Sequence, residues 1–224
     1  MQNLTTTTTT TDIAGENHIH IRTDAKRGEF MIYETPIGKR LDNVILLGVF
    51  TLPNSRLYDY SDKPVVRDWV ILTMLSDGGV PITTVLHGIR ERAVKQYLSI
   101  LRFKGIKPNK VLTDITISDA PTKYPNGETY PITLQAVGQV DQETENIVEA
   151  AYADVSVCYP LREIAQAIKQ NPADLEKVLR AFYLDKNPAA LANIAAIIGC
   201  VQCADGTTID MQDLSATRLL SQPE

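Results

Sequence analysis

DWVILTML (68–75), SDGG (76–79) and VPITTVLH (80–87) follow one another without a break in this chain. The two apolar runs are short and rich in β-branched residues, as buried strands are. The Asp77-Gly78-Gly79 turn between them is typical of a tight hairpin, because glycine accepts the backbone angles that such turns need. This stretch therefore predicts a hairpin of two antiparallel strands, and the rest of the fold is built outward from it.

The hydrophobic period changes directly after the hairpin. In IRERAVKQYLSILRFKG (89–105) the apolar residues fall on one side of a helix with 3.6 residues per turn: Ile89, Ala93, Tyr97, Ile100 and Leu101. Gly105 is typical of a helix end. The pattern predicts a helix over 89–104.

Three further segments have the character of strands, at 44–52, 111–118 and 129–140, and a short one at 28–34 would add to an edge. The order strand, long loop, strand, hairpin, strand, helix, strand, loop, strand is that of a five-stranded OB barrel. We therefore predict a mainly β fold with α: an OB-like five-stranded barrel with one helix between strands 3 and 4, plus C-terminal helices. The alternative is an α+β sheet covered by one helix.

Composition divides the chain into three parts. Residues 1–27 include the polar tract 5–11 and are expected to form a flexible, Thr-rich lead. Residues 28–143 hold the predicted barrel. Residues 144–224 are alanine-rich with helical spacing, and two of their segments open with Asn-Pro, which suits a helix start. We expect this last part to be a separable helical region with a frayed tail.

The overall composition is that of an ordinary globular protein, with 44% hydrophobic and 22% charged residues among 224. No apolar run approaches the ~20 residues that a membrane helix needs. The start, MQNLTTTTTTTD, has neither the basic nor the apolar part of a secretory signal. Three cysteines are too few for a disulfide framework. We therefore expect a cytoplasmic protein without membrane contact.

Charge is distributed unevenly along the chain. The net charge is −5, yet residues 88–110 carry seven basic residues and one acidic residue. Residues 141–224 carry six basic and thirteen acidic residues. This asymmetry indicates a polyanionic partner at the basic segment. The acidic C-terminal helices are expected to serve homo-oligomerisation or the docking of a protein partner.

The element order and loop content resemble those of OB-fold single-stranded DNA-binding proteins of phages and plasmids. The resemblance covers about residues 40–140. It implies a ligand that lies across the second and third strands, between the loop joining strands 1 and 2 and the loop joining strands 4 and 5.

Both of these loops interleave aromatic with basic residues, which is the pattern that single-stranded nucleic acid requires. Bases stack on aromatic rings, and phosphates attract Lys and Arg. The basic helix adds a positive stripe opposite its apolar face. The candidate nucleic-acid-binding residues are Arg56, Tyr58, Tyr60, Lys63, Arg67 and Trp69 in and beside the first loop, Arg92, Lys95 and Arg102 on the helix, and Lys123 and Tyr124 in the second loop. The alternative is that the tyrosines anchor the loops, that Trp69 is core, and that the charges are a solvated surface.

Two short motifs could belong to other kinds of site. Cys200-Val-Gln-Cys203 is half of a zinc site or a redox pair, and His18-Ile19-His20 would place two rings on one face of a strand. Neither has the partners that complete a site. No phosphate loop, nucleophile elbow or HExxH motif is present. The sequence predicts no catalytic residue, no metal and no cofactor.

The sequence thus favours a non-catalytic protein that binds single-stranded nucleic acid, most simply DNA, as an accessory of replication, repair or recombination. The alternative from another class is a structural or adaptor protein that makes only protein contacts. A metal-dependent nuclease is a third class, for which no carboxylate pair has a supporting spacing.

Overall fold

A curled, eight-stranded sheet lies at the centre of the computed structural model, which describes residues 17–24, 27–58, 65–124 and 127–220. The strands of the fold are β1 (Ile19–Asp24), β2 (Glu29–Ile32), β3 (Thr35–Gly38), β4 (Arg40–Ser55), β5 (Arg67–Leu75), β6 (Pro81–His87), β7 (Val111–Ile117), β8 (Thr122–Tyr124), β9 (Gly127–Thr129), β10 (Ile132–Gln139), β11 (Cys200–Gln202) and β12 (Thr208–Asp210). The large sheet has the order β10-β7-β4-β5-β6-β1-β2-β3, while β8 pairs with β9 and β11 with β12.

The helices complete a mixed α/β fold. They are α1 (Ile89–Phe103), α2 (Gln142–Ala153), α3 (Val155–Cys158), α4 (Leu161–Gln170), α5 (Leu175–Ala181), α6 (Pro188–Ile198) and α7 (Met211–Leu220), with short 3₁₀ turns at Pro108–Lys110 and Pro172–Asp174. Among the residues that the structure describes, no helix has both the length and the apolar character needed to span a bilayer.

The predicted hairpin and helix are confirmed. β5 and β6 pair antiparallel from Trp69 opposite His87 to Leu75 opposite Pro81, and Gly79 takes a positive φ in the turn. α1 follows at once and ends at Phe103. β2, β7 and β10 lie within the ranges predicted for them, and β4 extends beyond the predicted 44–52 at both ends. Strand propensity and the hydrophobic period are sufficient to predict these elements, because each segment is long enough to show its own pattern.

β4 is the strand that organises the sheet, because it changes partner along its length. Its first residues pair with β7 as far as Val44, and from Ile45 onward it pairs with β5. A bulge lies between Leu46 and Gly48, where the Phe50 ring and Thr73 leave no room for a side chain on Gly48. No other described strand pairs with the β7-facing edge of residues 46–51.

The closed five-stranded barrel is not confirmed. The sheet order contains the five predicted strands as β10-β7-β4-β5-β6, but the free edge of β6 is taken by β1, which runs parallel to it with Ile19 opposite Ile82. β2 and β3 extend the sheet beyond β1, so the result is an open, curled half-barrel. The predicted flexible lead is wrong over 19–24, where the alternating residues form β1, while residues 1–16 lie outside the described part.

The sheet is buried on both faces. Val70, Leu72 and Met74 of β5 point into the core that α1 covers, whereas Trp69 and Ile71 point into a second core formed with the C-terminal helices. A smaller core joins β4 and β5 to α2. Sheet and C-terminal helices therefore share hydrophobic cores, and the boundary proposed between 143 and 144 stays a prediction.

Candidate nucleic-acid interface

Trp69 is a core residue, not a base-stacking surface. Its side chain is 1% exposed, and its indole Nε1 donates a hydrogen bond to the Ser55 carbonyl at 2.9 Å. Tyr58 and His87 meet it edge-on, with ring centroids 6.1 and 5.4 Å away. The prediction that Trp69 binds nucleic acid is wrong, because the C-terminal helices bury the face of β5 that carries it.

Tyr58 anchors its loop to the helical layer. Its hydroxyl donates a hydrogen bond of 2.7 Å to Oε1 of Glu163, a fully buried residue of α4. The same oxygen lies 3.3 Å from Nδ1 of His20. Burial acts to raise the pKa of Glu163, but His20, Tyr58 and Arg162 together hold it below its ordinary value. Tyr58 is thus tied to α4 and to Trp69, which supports the alternative of an anchoring residue, and its stacking on bases stays a prediction.

Arg56 and Arg67 of the first loop contact the rest of the protein, Arg56 through its backbone and Arg67 through its side chain. The backbone N–H and C=O of Arg56 pair with the Asn171 side chain at 3.2 and 2.7 Å. Arg67 places its Nη1 atom 3.1 Å from Nε2 of His87 and its guanidinium 5.2 Å from the centre of the Trp69 ring. Tyr60 and Lys63 lie outside the described residues. The described ends of this loop therefore form a structural junction, and the binding roles of Tyr60 and Lys63 stay predictions.

The surroundings of His87 in that junction shift its pKa. Burial, followed by the charges of Arg67 and Arg90, lowers the pKa of His87 to about 4. The imidazole is therefore neutral at neutral pH and acts as a packing partner of Trp69.

The second predicted loop is a small exposed ribbon formed by β8 and β9. The Lys123 side chain is 86% exposed and lies 3.7 Å from Glu128, its cross-strand partner. Tyr124 is also exposed. Both residues are accessible, and their role in binding stays a prediction.

The basic helix presents its predicted stripe to solvent. Arg92, Lys95 and Arg102 are all exposed on α1. Lys95 forms an ion pair with Glu91 one turn earlier, and this pair weakens the attraction of the Lys95 ammonium for an external phosphate. Arg102 differs from the other two, because it lies at the mouth of a cleft.

This cleft has a volume of about 810 Å³. Its floor is β4 over residues 46–51, the segment whose edge has no strand partner. One wall is the end of α1 with residues 105–109, and the other wall comes from α2, α3 and the connections around α5 and α6. The cleft thus exists only because the C-terminal helices pack beside the sheet.

One wall of the cleft is basic. Arg102 and Lys107 line it, and exposed Lys104 lies between them in the chain. None of the three has an ion-pair partner among the described residues. Phe103 is 93% exposed in the midst of these charges. Phe103 is not among the candidates predicted from sequence, although it has the same signal as the loops, an aromatic residue within a basic run.

The opposite wall is aromatic. Tyr152 is 45% exposed and donates a 2.8 Å hydrogen bond to the Leu47 carbonyl on the floor. The Tyr159 hydroxyl accepts a hydrogen bond from Asn187 at 3.4 Å. Tyr183 is 58% exposed, and its ring lies 6.0 Å from that of Phe50. No local pattern in the sequence indicates this wall, because Tyr152, Tyr159 and Tyr183 follow Arg102 by 50, 57 and 81 positions and belong to the region predicted to serve only docking.

The cysteine that lines the cleft is not a nucleophile. Burial, together with the nearby charge of Asp154, raises the pKa of Cys158 to about 11. Its Sγ donates to the Ala151 carbonyl at 3.1 Å. A thiol held in this way stays protonated at neutral pH.

The two short motifs are parts of the packing in the described chain. His18 bonds to Thr83 and to the Val157 carbonyl, and His20 contacts Glu163, so the HxH motif ties β1 to the helical layer. Cys200 is exposed and Cys203 buried on the small β11–β12 ribbon. In the parts of the chain described here, no group of three His, Cys, Asp or Glu side chains is placed to hold a metal ion.

No family model, curated protein or solved structure matches this chain, so its function has to be inferred from the chemistry of its own residues.

Proposed function

We propose that the protein binds single-stranded nucleic acid, most simply DNA, in the cleft between the end of α1 and the C-terminal helices. One observation carries this proposal: a basic wall and a tyrosine wall face each other across an open cleft. A single strand needs cations for its phosphates and rings for its bases, and the two walls provide one each.

The basic wall suits a phosphate backbone. Arg102, Lys104 and Lys107 are within six positions of one another and have no carboxylate partner in the described chain. Their charge is therefore available to an external anion. Each phosphate that such a residue neutralises releases condensed counterions, which makes binding weaken with salt.

The aromatic wall and the floor suit unpaired bases. Tyrosine rings stack on bases without regard to sequence. The open edge of β4 adds peptide N–H and C=O groups, which are able to bond with exposed base edges. A duplex presents its bases already paired and stacked, so this cleft favours a single strand.

The same proposal extends to the fold. The strands pair in the order β10-β7-β4-β5-β6 with α1 between the third and fourth predicted strands, which supports an OB-type sheet that β1 holds open. The ligand would then lie beside β4 rather than across β5 and β6, because the helical layer covers the latter pair.

The wider role follows from this activity. A non-catalytic binder of single strands would serve replication, repair or recombination in the cytoplasm. The cleft lining contains no Asp or Glu. The acidic residues of the C-terminal region outside the cleft would face a second copy or a protein partner, since like charge repels them from the strand.

An adaptor that binds only proteins is the second candidate, and the open edge of β4 is the observation that favours it. An extended peptide adds to such an edge through main-chain hydrogen bonds. This activity would not depend on the charge of Arg102 or Lys107.

A salt-titrated binding assay separates these functions. The probe is a labelled oligothymidylate of about 15 nucleotides, compared with an oligouridylate and a duplex of the same length. With three phosphate contacts, log K should fall with log salt with a slope of about −2, and the duplex should bind more weakly. Weak binding with no salt slope and no preference for a single strand would reject the proposal in favour of the adaptor.

A further inference from the structure

Tyr183 occupies a backbone position that normally belongs to glycine. The Leu184 N–H bonds to the Leu179 carbonyl at 2.8 Å and the Tyr183 N–H to the Arg180 carbonyl at 3.1 Å. These two bonds form the Schellman motif that ends α5, with Tyr183 in the left-handed position at φ 59°. A side chain with a Cβ is strained there, and glycine is not.

The same chain uses glycine when it builds the same motif elsewhere. At the end of α1, Gly105 bonds to the Arg102 carbonyl and Ile106 to the Leu101 carbonyl, at 3.0 and 2.9 Å. Gly105 has φ 69°, close to the value of Tyr183. The two motifs line opposite walls of one cleft, yet only the tyrosine wall carries a ring at this position.

The ring of Tyr183 lies beside the core residue Phe50, with ring centroids 6.0 Å apart, but more than half of the residue's surface is open to solvent. The residue is 58% exposed, and its neighbours Phe182 and Leu184 are the ones that are buried. Its hydroxyl has no hydrogen-bond partner among the described residues. Strain that the packing does not require is typical of a functional position.

We infer that Tyr183 is the residue on which a base of the bound strand stacks, so that the cleft recognises an unpaired base rather than the phosphate backbone alone. This inference rests on the proposed function. The ring stands in the cleft opposite the cations that would hold the adjoining phosphates. The glycine at Gly105 leaves the facing wall open, which gives the base room to enter.

Tyr33 supplies a matched control. It is also exposed, at 79%, and also left-handed, at φ 53°, but it lies in the turn between β2 and β3, away from the residues that line the cleft. Tyr183→Gly and Tyr33→Gly both relieve a strained backbone, and only the first removes a ring from the cleft.

The experiment measures thermal unfolding and oligothymidylate binding for each variant of the full chain. Tyr183→Gly should keep or raise Tm, by up to about 4 °C, because strain is lost. It should bind roughly 5- to 150-fold more weakly, the loss expected for one base stack, with an unchanged salt slope. Tyr33→Gly should bind like the parent. Tyr183→Phe should also bind like the parent, and Tyr183→Leu should be as weak as the glycine variant.

Two results would overturn the inference. One is a Tyr183→Gly or Tyr183→Leu variant that binds as tightly as the parent while binding still depends on Arg102 and Lys107, which leaves the proposed function standing without this residue. The other is a Tyr183→Gly variant with a lowered Tm beside a Tyr183→Leu variant of full affinity, which shows a structural role. If the parent protein does not bind oligothymidylate at all, the proposed function is wrong as well.

Discussion

The Tyr58 hydroxyl donates a 2.7 Å hydrogen bond to the buried carboxylate of Glu163, 105 positions away in the sequence. This bond connects the loop after β4 to α4, and it explains why a loop with the composition of a binding loop is instead a junction between two layers. Tyr58 and Trp69, which the sequence predicts to face a ligand, face the helices instead.

Removing the Tyr58 hydroxyl should therefore destabilise the protein. Tyr58→Phe leaves a buried carboxylate with one hydrogen bond fewer, which should lower the free energy of unfolding by about 1–3 kcal/mol. Denaturant unfolding measures this, with Tyr124→Phe as the exposed control. Equal stability of Tyr58→Phe and the parent would contradict the anchoring role.

Tryptophan fluorescence tests the placement of the first loop without any substitution. Trp69 is the only tryptophan in the chain and is fully buried. Its emission should be that of an apolar site and should hardly change when oligothymidylate saturates the cleft. Strong quenching on binding would mean that a base reaches Trp69, and the ligand would then lie across β5 after all.

Stability should depend on pH through His87. Its folded pKa of about 4 is below its ordinary value of 6.5, so the unfolded chain takes up the proton first as the pH falls. The free energy of unfolding should decrease from about pH 6.5 towards pH 4, and this contribution ends below that range. His87→Gln lacks the titrating group.

The comparison is best made between pH 6.5 and 5, above the range in which Glu163 titrates, since its pKa is held below the ordinary value for a carboxyl group. The parent should lose more stability than His87→Gln over this interval. If the free energy of unfolding fell equally with pH in the two proteins, His87 would not be buried as described.

The helical layer should not separate from the sheet. A fragment ending near residue 143 would expose Phe50, Leu52 and Ile71, which pack against α4, α5 and α6 in the shared core. Limited proteolysis should therefore leave no stable fragment that ends between residues 140 and 155. A soluble fragment of this kind with cooperative unfolding would restore the separable domain predicted from composition.

The sequence was informative where a segment carries its own pattern and uninformative where two distant segments meet. The alternation of Val111, Thr113 and Ile115 and the glycine turn at Gly79 are local signals, and the strands they predict are present. Trp69 was ambiguous because β5 is buried on both faces, which removes the alternation that separates inside from outside.

Local sequence patterns could not predict the cleft. Its walls contain Arg102 and Tyr183, and nothing local to either residue indicates the other. β1, the strand that pairs with the outer edge of β6, is predicted from sequence as part of the lead because a polar tract precedes it. Both features arise from tertiary packing, which overrides composition.

The most direct test of the account is the salt dependence of binding in a charge variant of the cleft. The variant Arg102→Gln/Lys107→Gln removes two cations from the basic wall, and Arg27→Gln/Lys39→Gln removes two cations that do not line the cleft, of which Lys39 is half-buried and paired with Asp119. For the first variant, the slope of log K against log salt for oligothymidylate should become about 1.4 less negative, the share of two phosphate contacts on a single strand. The second variant should keep the slope of the parent. An unchanged slope in the cleft variant, or the same change in both, would contradict the assignment of the cleft as the nucleic-acid site.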